Sequence, residues 1–511
     1  MSHPRRRFSK VALSLCLTAV MAVGGSAGVA SAHGFDAAEK PIDLGDPQLM
    51  MTVAESQHIA KQLPPVPGKI KLRRGPHPAV PEWVKSDFKD DPFMEDDAWH
   101  YVDKGYKQGQ IIRKRKSLWS QVYFPGSHSM QYAFVSYDSR GYPMTATATL
   151  VVPPIVKRNA GIVQWNEYIN SSGTKCKVTT QLNQPNSWGI INSPIELMSA
   201  ALALGYPVLF TDAEGPRNSY AINRLSAHVM LDSMRMVHQQ HDFPLQQSHF
   251  VSMGISHGGL QTGYTAVEQP NYAPELAPYI EQYIVNEGAP DFIKLAHSMG
   301  LYGQVSNVPS AWGGFLVSFL IGMMREYGDL LPHMEQWLTP YGKKLIKANR
   351  NLCMPFTLAA GGGGIFKYLV KDGFFRSKTF KTALRIAKDS SSFYNPTIPT
   401  LSLIHICAAD DMQCVDLGGV YKRQSFYNPT IPTSPILLVH GKFDGILYQA
   451  EQDEVLWQRY CNAGANAVYE KIPFTGHMMT PGVSTTRMFL RTVLSLHGVK
   501  QLRNCLVPVI I

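Results

Sequence analysis

Short apolar runs recur along the chain from about residue 131 onward, and stretches with helical spacing of apolar residues separate them. QYAFVSYD (131–138) and TATATLVV (145–152) flank the turn-like segment SRGYP and predict a β-hairpin. Between residues 221 and 239, Ile222, Leu225, Val229 and Val237 have mainly helical spacing and predict a helix. Strands that alternate with helices predict a mostly parallel sheet with helices on both faces. The other strand-like runs are AGIVQW (160–165), PVLFT (207–211), HFVSM (249–253), YIV (283–285) and PILLV (435–439).

Two segments depart from this rhythm and divide the chain. Residues 33–118 are rich in proline and charge, and we interpret them as an N-terminal extension that wraps the core. Residues 291–391 hold helix-like apolar runs such as FLVSFLIGMM and no obvious strand, which predicts a helical cap inserted into the core. The core then consists of residues 119–290 and 434–511, and residues 392–433 form the linker between cap and core.

The N-terminus has the composition of a secretory signal peptide, residues 1–32. Three arginines and a lysine precede an apolar stretch, and Ala30-Ser31-Ala32 forms an A-x-A cleavage site. Cleavage removes four positive charges and no acidic residue, which lowers the net charge from +10 to +6. Such a mild charge favours neither a nucleic-acid partner nor a polybasic membrane patch. No later segment reaches the roughly 18 apolar residues that span a bilayer, so we expect a secreted protein without a transmembrane segment.

Six cysteines follow the signal peptide: Cys176, Cys353, Cys407, Cys414, Cys461 and Cys505. In an exported protein, disulfides are favoured over metal ligands. No pair has C-x-x-C spacing, which weakens a zinc interpretation. These cysteines do not predict a zinc site, and we expect no cofactor.

The segment HFVSM-GISHGG places a serine between an apolar strand and a helix-compatible run, as Gly254-x-Ser256-x-Gly258. A nucleophilic serine needs a tight turn of this kind so that its oxygen projects from the sheet edge. Side chains at the two flanking glycine positions would collide with the neighbouring backbone. The alternative is a Gly/Ser turn without chemistry, but the strand before it and the helix after it favour a nucleophile.

A candidate acid and a candidate base follow two later strands. Asp444 comes just after PILLV, and His477 ends PFTGH, which follows the strand-like AVYEKI. His477 would take the proton of Ser256, and Asp444 would hold the imidazole tautomer. We assign the rival His440 to packing or a backbone hydrogen bond. The rivals Asp453 and Glu454 are assigned to a solvated helix face.

With these residues in place, the chain from about Asp91 onward resembles the secretory lipases of yeasts and actinobacteria. The resemblance rests on DPF (91–93), YDSRGYPMTATATLVVP (137–153), TDAEGP (211–216), GISHGG (254–259) and HGKFDG…CNAGA…PFTGH. It implies an α/β-hydrolase fold with a helical cap and hydrolysis of triacylglycerols or other esters. It also implies that no metal takes part and that the triad is Ser256, Asp444 and His477.

The resemblance also implies two oxyanion donors. One is the backbone N–H of His257, and the other comes from the loop after AGIVQW. In the family an acidic residue lies there, six positions before a cysteine, where this chain has Asn170 ahead of Cys176. Asn170 also begins the glycosylation sequon NSS, so a surface sugar is the alternative. In TDAEGP, Asp212 and Glu214 could form a metal or acid pair, but shaping the turn and capping the next helix is the favoured interpretation.

The function that these residues predict is that of an exported serine ester hydrolase. Ser256 would attack an ester carbonyl, and water would release the acid from an acyl-enzyme. The expected partners are a lipid or other ester substrate and, transiently, a lipid surface touched by the cap. Two alternatives remain: transfer of the acyl group to an alcohol by the same triad, or an inactive hydrolase fold used for binding.

The nonapeptide SFYNPTIPT occurs twice, at residues 392–400 and 425–433. LSLIHI, which begins the intervening residues 401–424, can be encoded by a DNA string whose reverse complement encodes DVYKRQ. The intervening segment ends in VYKRQ, so its two ends resemble one sequencing adapter in opposite orientations. We interpret residues 401–424 and one nonapeptide copy as an artefact rather than as a repeat or a CAADDMQC disulfide loop. The natural chain would then be 33 residues shorter, and the insert would contribute no catalytic residue.

Overall fold

One ten-stranded sheet organises the part of the chain that the computed structural model describes. The described residues are 70–87, 91–167, 172–184, 195–292, 295–296, 313–353, 368–392, 431–444, 450–477, 480–506 and 509–510. The strands are β1 (Ile111–Lys116), β2 (His128–Tyr137), β3 (Pro143–Val152), β4 (Ile162–Asn166), β5 (Val208–Thr211), β6 (Phe250–Ile255), β7 (Ile280–Asn286), β8 (Ile436–Gly441), β9 (Ala467–Ile472) and β10 (Val509–Ile510). Their order across the sheet is β1-β2-β3-β5-β4-β6-β7-β8-β9-β10.

The sheet changes from antiparallel to parallel at β5. The pairs β1–β2, β2–β3 and β3–β5 are antiparallel, and every pair from β5–β4 to β9–β10 is parallel. The predicted hairpin is β2–β3, and the predicted strands appear as β4 to β9. Because parallel strands end at the same edge, β6, β8 and β9 carry their following loops to one side of the sheet.

Eleven α-helices are described in these ranges. They are α1 (Ala98–Asp103), α2 (Ser120–Tyr123), α3 (Val178–Leu182), α4 (Ile195–Ala203), α5 (Asn223–Gln239), α6 (His257–Tyr272), α7 (Gly313–Tyr327), α8 (Pro340–Asn349), α9 (Lys378–Ser391), α10 (Ala450–Asn462) and α11 (Thr480–Leu496). The predicted helix at 221–239 is α5. Among the described residues, no helix combines the length and the apolar character that crossing a membrane would require.

Helices cover both faces of the sheet, and the side chains of β4 contact the helices on each face. Val163 and Trp165 point to one face, where they join a buried apolar cluster that includes residues of α3, α4 and α11. Gln164, between them, points to the other face and donates to Met230 O and Ser233 Oγ of α5, each at 2.9 Å. Successive side chains of a strand alternate between faces, so one strand touches both helix layers.

The sequence pattern did not reveal β1, which lies within the segment assigned to the N-terminal extension. IIRKRK begins with two apolar residues and continues with four basic ones, and it forms the edge of the sheet. Its cations find partners: Arg113 pairs with Asp97 at 2.7 Å and Lys114 with Asp242 at 2.6 Å. Charged side chains on an edge strand also discourage pairing with a second chain.

The predicted cap segment is helical where the structure describes it. It contains α7, α8 and α9, and the β-pairing recorded in its described residues is one isolated bridge between Leu338 and Val370. Arg325 of α7 is buried and donates to carbonyl oxygens of the extension, at Val84, and of the core, at Asn218. One guanidinium group therefore links the segment predicted as a cap to the segments predicted as extension and core.

Two disulfides are formed, Cys176–Cys353 and Cys461–Cys505. They select one of the three pairings open to four cysteines once Cys407 and Cys414 are set aside. The first joins the loop after β4 to the segment after α8, and the second joins α10 to the C-terminal tail. Disulfides that close loops of this size stabilise a fold by about 2–4 kcal/mol.

Several predictions concern residues outside the described ranges. These are the signal peptide at 1–32, Asn170, and the insert at 401–424 with most of both nonapeptide copies. The described chain stops at Ser392, whose hydroxyl oxygen accepts from the N–H of Phe292 at 3.0 Å. It resumes at residue 431, and Thr433 donates to Gln269 Oε1 at 2.7 Å. The first residue of one copy therefore bonds to the start of the predicted cap segment, and the last residue of the other bonds to the core.

A variant that lacks residues 401–433 should keep its thermal unfolding midpoint within about 3 °C, because loop-closure entropy changes slowly with loop length. It retains one complete copy of SFYNPTIPT between α9 and β8, as does the predicted natural chain. Differential scanning calorimetry of the purified proteins measures the effect. A matched variant that lacks residues 392–433, and so both copies, should lose several degrees. A similar loss in both variants would show that the insert belongs to the fold.

Candidate active site

Ser256 occupies the single residue between β6 and α6. Its backbone has φ +56° and ψ −117°, a conformation that non-glycine residues rarely adopt and that is characteristic of functional sites. A Cβ added to Gly254 would overlap the carbonyl oxygen of Gly258, and one added to Gly258 would overlap that of Asn166. The two glycines of the motif are therefore required by the close approach of β4, β6 and α6.

The structure brings Ser256, His477 and Asp444 together in a hydrogen-bonded row. Ser256 Oγ lies 2.9 Å from His477 Nε2, and His477 Nδ1 lies 2.8 Å from Asp444 Oδ2. The three residues follow β6, β9 and β8, whose ends share one edge of the sheet. Asp444 and His477 are buried, and Ser256 is half-buried. The serine is thus the member of the row that a substrate can reach.

The charges in this row are set by their neighbours. Burial favours the neutral form of Asp444, but hydrogen bonds from His440 and His477 outweigh it and lower the pKa of the carboxyl below its usual range. Burial lowers the pKa of His477, but the carboxylates of Glu287 and Asp444 outweigh burial and raise it above the ordinary value. Asp444 is therefore ionised at neutral pH, and the imidazolium form of His477 is stabilised.

His440 and Asp453 extend the row behind Asp444, and here the sequence interpretation was wrong. His440 is fully buried; its Nε2 lies 3.1 Å from Asp444 Oδ2, and its Nδ1 is hydrogen-bonded to Asp453. Asp453 is 2% exposed, because α10 turns this acid toward the sheet instead of toward water. Burial lowers the pKa of His440, but Asp453 and Asp444 outweigh it and raise that pKa to about 10. His440 is thus a cation that holds Asp444 ionised.

Glu287 is a residue of the site that the sequence interpretation missed. It directly follows β7, is fully buried, and places Oε2 at 3.2 Å from His477 Nδ1. Its backbone has φ +50°. The signal available in the sequence was the position of Glu287, an acid that comes just after the strand-like run between β6 and β8 along the chain. It was overlooked because the pattern favoured the acid after PILLV.

His257 begins α6, next to the nucleophile. The first N–H groups of a helix have no acceptor within the helix and point toward its N-terminal end, where an anion is stabilised. The ring of His257 lies against Tyr220, with ring centroids 4.4 Å apart. Burial lowers its pKa to about 3, so the ring is neutral. The predicted second donor, Asn170, lies outside the described residues.

The two acids of TDAEGP lie in different surroundings, since Asp212 is fully hydrogen-bonded while both carboxylate oxygens of Glu214 are buried without a hydrogen-bond partner among the described residues. Asp212 Oδ1 accepts from the N–H of Thr179 at 3.0 Å, and its Oδ2 accepts from the hydroxyls of Thr147 and Thr179. Asp212 thus caps α3. The sequence analysis had instead favoured capping of the helix that follows Asp212 in the chain. Burial raises the pKa of Glu214 well above its usual range, and its Oε1 lies 3.6 Å from His257 Nδ1.

Two sets of side chains in the described ranges offer three ligand atoms close enough for a cation. In His77, Asp138 and Glu326, the guanidinium of Arg217 lies 3.2 Å from Asp138 and 3.1 Å from Glu326. In the other set, Glu287, Asp444 and His477, the Nδ1 atom contacts both carboxylates. In both sets the carboxylates already pair with a protein side chain, Arg217 in the first and His477 in the second. We therefore assign neither set to a metal.

Comparison with known sequences finds a family and several curated relatives. The family described as "Secretory lipase" matches residues 190–404, a match that ends four residues into the predicted insert. Lipase 2 of Candida albicans is 26% identical over 400 residues, which cover 76% of this chain and 77% of the relative. Lipase 6 of the same yeast is 28% identical over 263 residues, 50% of this chain and 55% of the relative. Secreted triacylglycerol lipase LIP5 of Malassezia furfur is 24% identical over 50% of this chain and 62% of its own length.

The alignments with Lipase 6 and LIP5 thus span 55% and 62% of the length of these relatives, less than two thirds of each, and that with Lipase 2 spans 77%. The family description and the relatives' names support the predicted class of lipase-like carboxylic ester hydrolases. They also support the predicted secretion.

Solved structures agree on the fold. Candida antarctica lipase A in its closed state superposes with a TM-score of 0.66 at 17% identity, over 83% of this chain and 89% of that one. The esterase LipA of Xanthomonas oryzae in a ligand-bound form gives 0.52 at 13% identity, over 78% and 98%. These likenesses confirm the predicted α/β-hydrolase fold. The sequence matches confirm the predicted resemblance to secretory lipases.

Proposed function

We propose that this protein is a secreted serine ester hydrolase that cleaves carboxylic esters, with acylglycerols as its substrate class. The observation that carries the proposal is the hydrogen-bonded row from Ser256 through His477 to Asp444, with the serine at a strained strand-to-helix turn. The substrate class is taken from the names of the relatives, two of which are called lipases and one a secreted triacylglycerol lipase.

The first half-reaction forms an acyl-enzyme. Ser256 Oγ attacks the ester carbonyl carbon while His477 Nε2, 2.9 Å away, takes the hydroxyl proton. The carbonyl oxygen gains the negative charge, and the N–H of His257 at the start of α6 donates to it. When the tetrahedral intermediate collapses, the bond to the alcohol oxygen breaks and His477 returns the proton to that oxygen. The alcohol leaves, and the acyl group stays on Ser256.

The second half-reaction uses the same groups with water in place of serine. His477 takes a proton from water, the hydroxide oxygen attacks the acyl carbon, and the proton returns to Ser256 Oγ as the acid leaves. Asp444 accepts the hydrogen bond of His477 Nδ1–H throughout, which fixes the tautomer that exposes Nε2 to the serine. His440 keeps this carboxylate ionised from behind.

Labelling with a fluorophosphonate probe tests the proposal, because the probe reacts with an activated serine and not with an ordinary hydroxyl. We expect the wild-type protein to be labelled and Ser256→Ala to be unlabelled. Ser226→Ala, which removes a buried hydroxyl from α5, is the matched control and should label like the wild type. Equal labelling of wild type and Ser256→Ala, or none of either, would refute the proposed function.

A further inference from the structure

A second carboxylate reaches the same nitrogen of His477 as Asp444 does. Glu287 Oε2 lies 3.2 Å from His477 Nδ1, against 2.8 Å for Asp444 Oδ2. The two acids come from neighbouring strands, since β7 pairs with β8 and the register places Asn286 opposite Val439. β7 also pairs with β6, which carries the nucleophile. The strand between nucleophile and acid thus supplies a carboxylate of its own.

The placement of Glu287 is costly in two ways. Its side chain is a fully buried carboxylate, and its backbone adopts φ +50°, where most residues are strained. Its backbone N–H donates to Val439 O at 2.8 Å, a contact that needs no particular side chain. Since neither cost serves the continuation of β7, the carboxylate is best explained by what it contacts.

We propose that Glu287 is a second positioning acid of the catalytic centre, which shares the Nδ1 proton of His477 with Asp444 and supports the imidazole when Asp444 is removed. This inference rests on the proposed function, because it assigns a role within the same proton transfer. When His477 takes the serine proton, the Nδ1–H of the resulting imidazolium faces the carboxylates of both Glu287 and Asp444. The charge that develops on the histidine is therefore stabilised from β7 as well as from β8.

The surroundings of His477 set the direction of the pH effect. The titratable groups around it are Glu287, Asp444 and His440, with Asp453 behind His440. The two carboxylates raise the pKa of His477, and the His440 cation opposes them. Removing the charge of Glu287 disfavours the imidazolium, so the base stays neutral to lower pH. The acidic limb of a kcat/KM profile should move in that direction.

The variants Glu287→Gln, Asp444→Ala and their double variant test the inference with a soluble short-chain ester, and Glu454→Gln is the control. Glu287→Gln should move the acidic limb of kcat/KM down by about one pH unit. Asp444→Ala should lose about 10²-fold in kcat, less than the roughly 10⁴-fold typical of triads with a single acid. The double variant should lose about 10²-fold more. Glu454, a partly exposed acid paired with Lys471, should change nothing.

Two results would overturn the role of Glu287. One is an unmoved profile in Glu287→Gln with a double variant no worse than Asp444→Ala. The other is a loss of 10⁴-fold or more in Asp444→Ala alone, a measurement that stands even when Glu287 variants fail to fold. Glu287→Asp keeps the charge and should move the profile less than Glu287→Gln. Failure of the proposed function is distinguishable, because it would show in the labelling of Ser256→Ala.

Discussion

Replacement of His477 by alanine is expected to lower kcat for a soluble p-nitrophenyl ester by about 10⁴- to 10⁶-fold. The imidazole Nε2 lies 2.9 Å from Ser256 Oγ, within hydrogen-bond distance. In the proposed mechanism it takes the serine proton and later returns it. Without it, the serine must attack as a neutral hydroxyl. Steady-state kinetics at pH 8, with active protein counted by mass, measures the effect.

The matched control is His497→Ala. His497 directly follows α11 and is exposed, and its ring centroid lies 5.8 Å from that of Tyr206. We expect kcat within about twofold of the wild type and an unchanged unfolding midpoint, since exposed substitutions cost about 0.5 kcal/mol or less. A His477→Ala enzyme that keeps a tenth of its activity would contradict the assigned base.

Replacement of Gly258 by alanine should lower the free energy of unfolding by about 3 kcal/mol or more and abolish fluorophosphonate labelling. The added Cβ would overlap the carbonyl oxygen of Asn166, which is backbone and cannot rotate away. Relief requires β4 and α6 to separate, and that movement would also displace the N–H of His257. Urea denaturation and labelling report the two effects separately.

Gly498→Asn is the control for a substitution at glycine. Gly498 has φ +78° with no atom near the position of a Cβ, and asparagine tolerates the left-handed region better than most residues. We expect a loss of about 1 kcal/mol or less and normal labelling. If Gly258→Ala were as stable as Gly498→Asn, the close packing of β4 against the serine turn would be wrong.

The sequence could predict the strands of the core, the turn at Ser256 and the positions of Asp444 and His477. Each of these depends on a short local pattern: an apolar run, two glycines around a serine, or a polar residue just after a strand. β1 could not be found in this way, because most of its residues are basic and their long side chains lie at the sheet edge. β10 has two residues, too few for any period.

The rest of the site depends on contacts between distant segments. Glu287 meets His477 because β7 lies between β6 and β8 in the sheet, although a long segment of chain separates β7 from β8. Asp453 was assigned to a solvated helix face, yet it lies on the face of α10 that packs toward His440. Sequence spacing on a helix shows which residues share a face, but not which of two mixed faces is buried.

The long segment of chain between β7 and β8 also determines when the site can form during biosynthesis. Ser256 leaves the ribosome long before residues 436–441 can pair with β7, and His477 follows later still. Strand pairing across so long a separation is slow compared with the folding of local segments. A nascent or partly exported chain therefore carries the serine turn without its base. The ester-cleaving machinery that we propose would stay incomplete until nearly the whole chain has been delivered to the place where it folds.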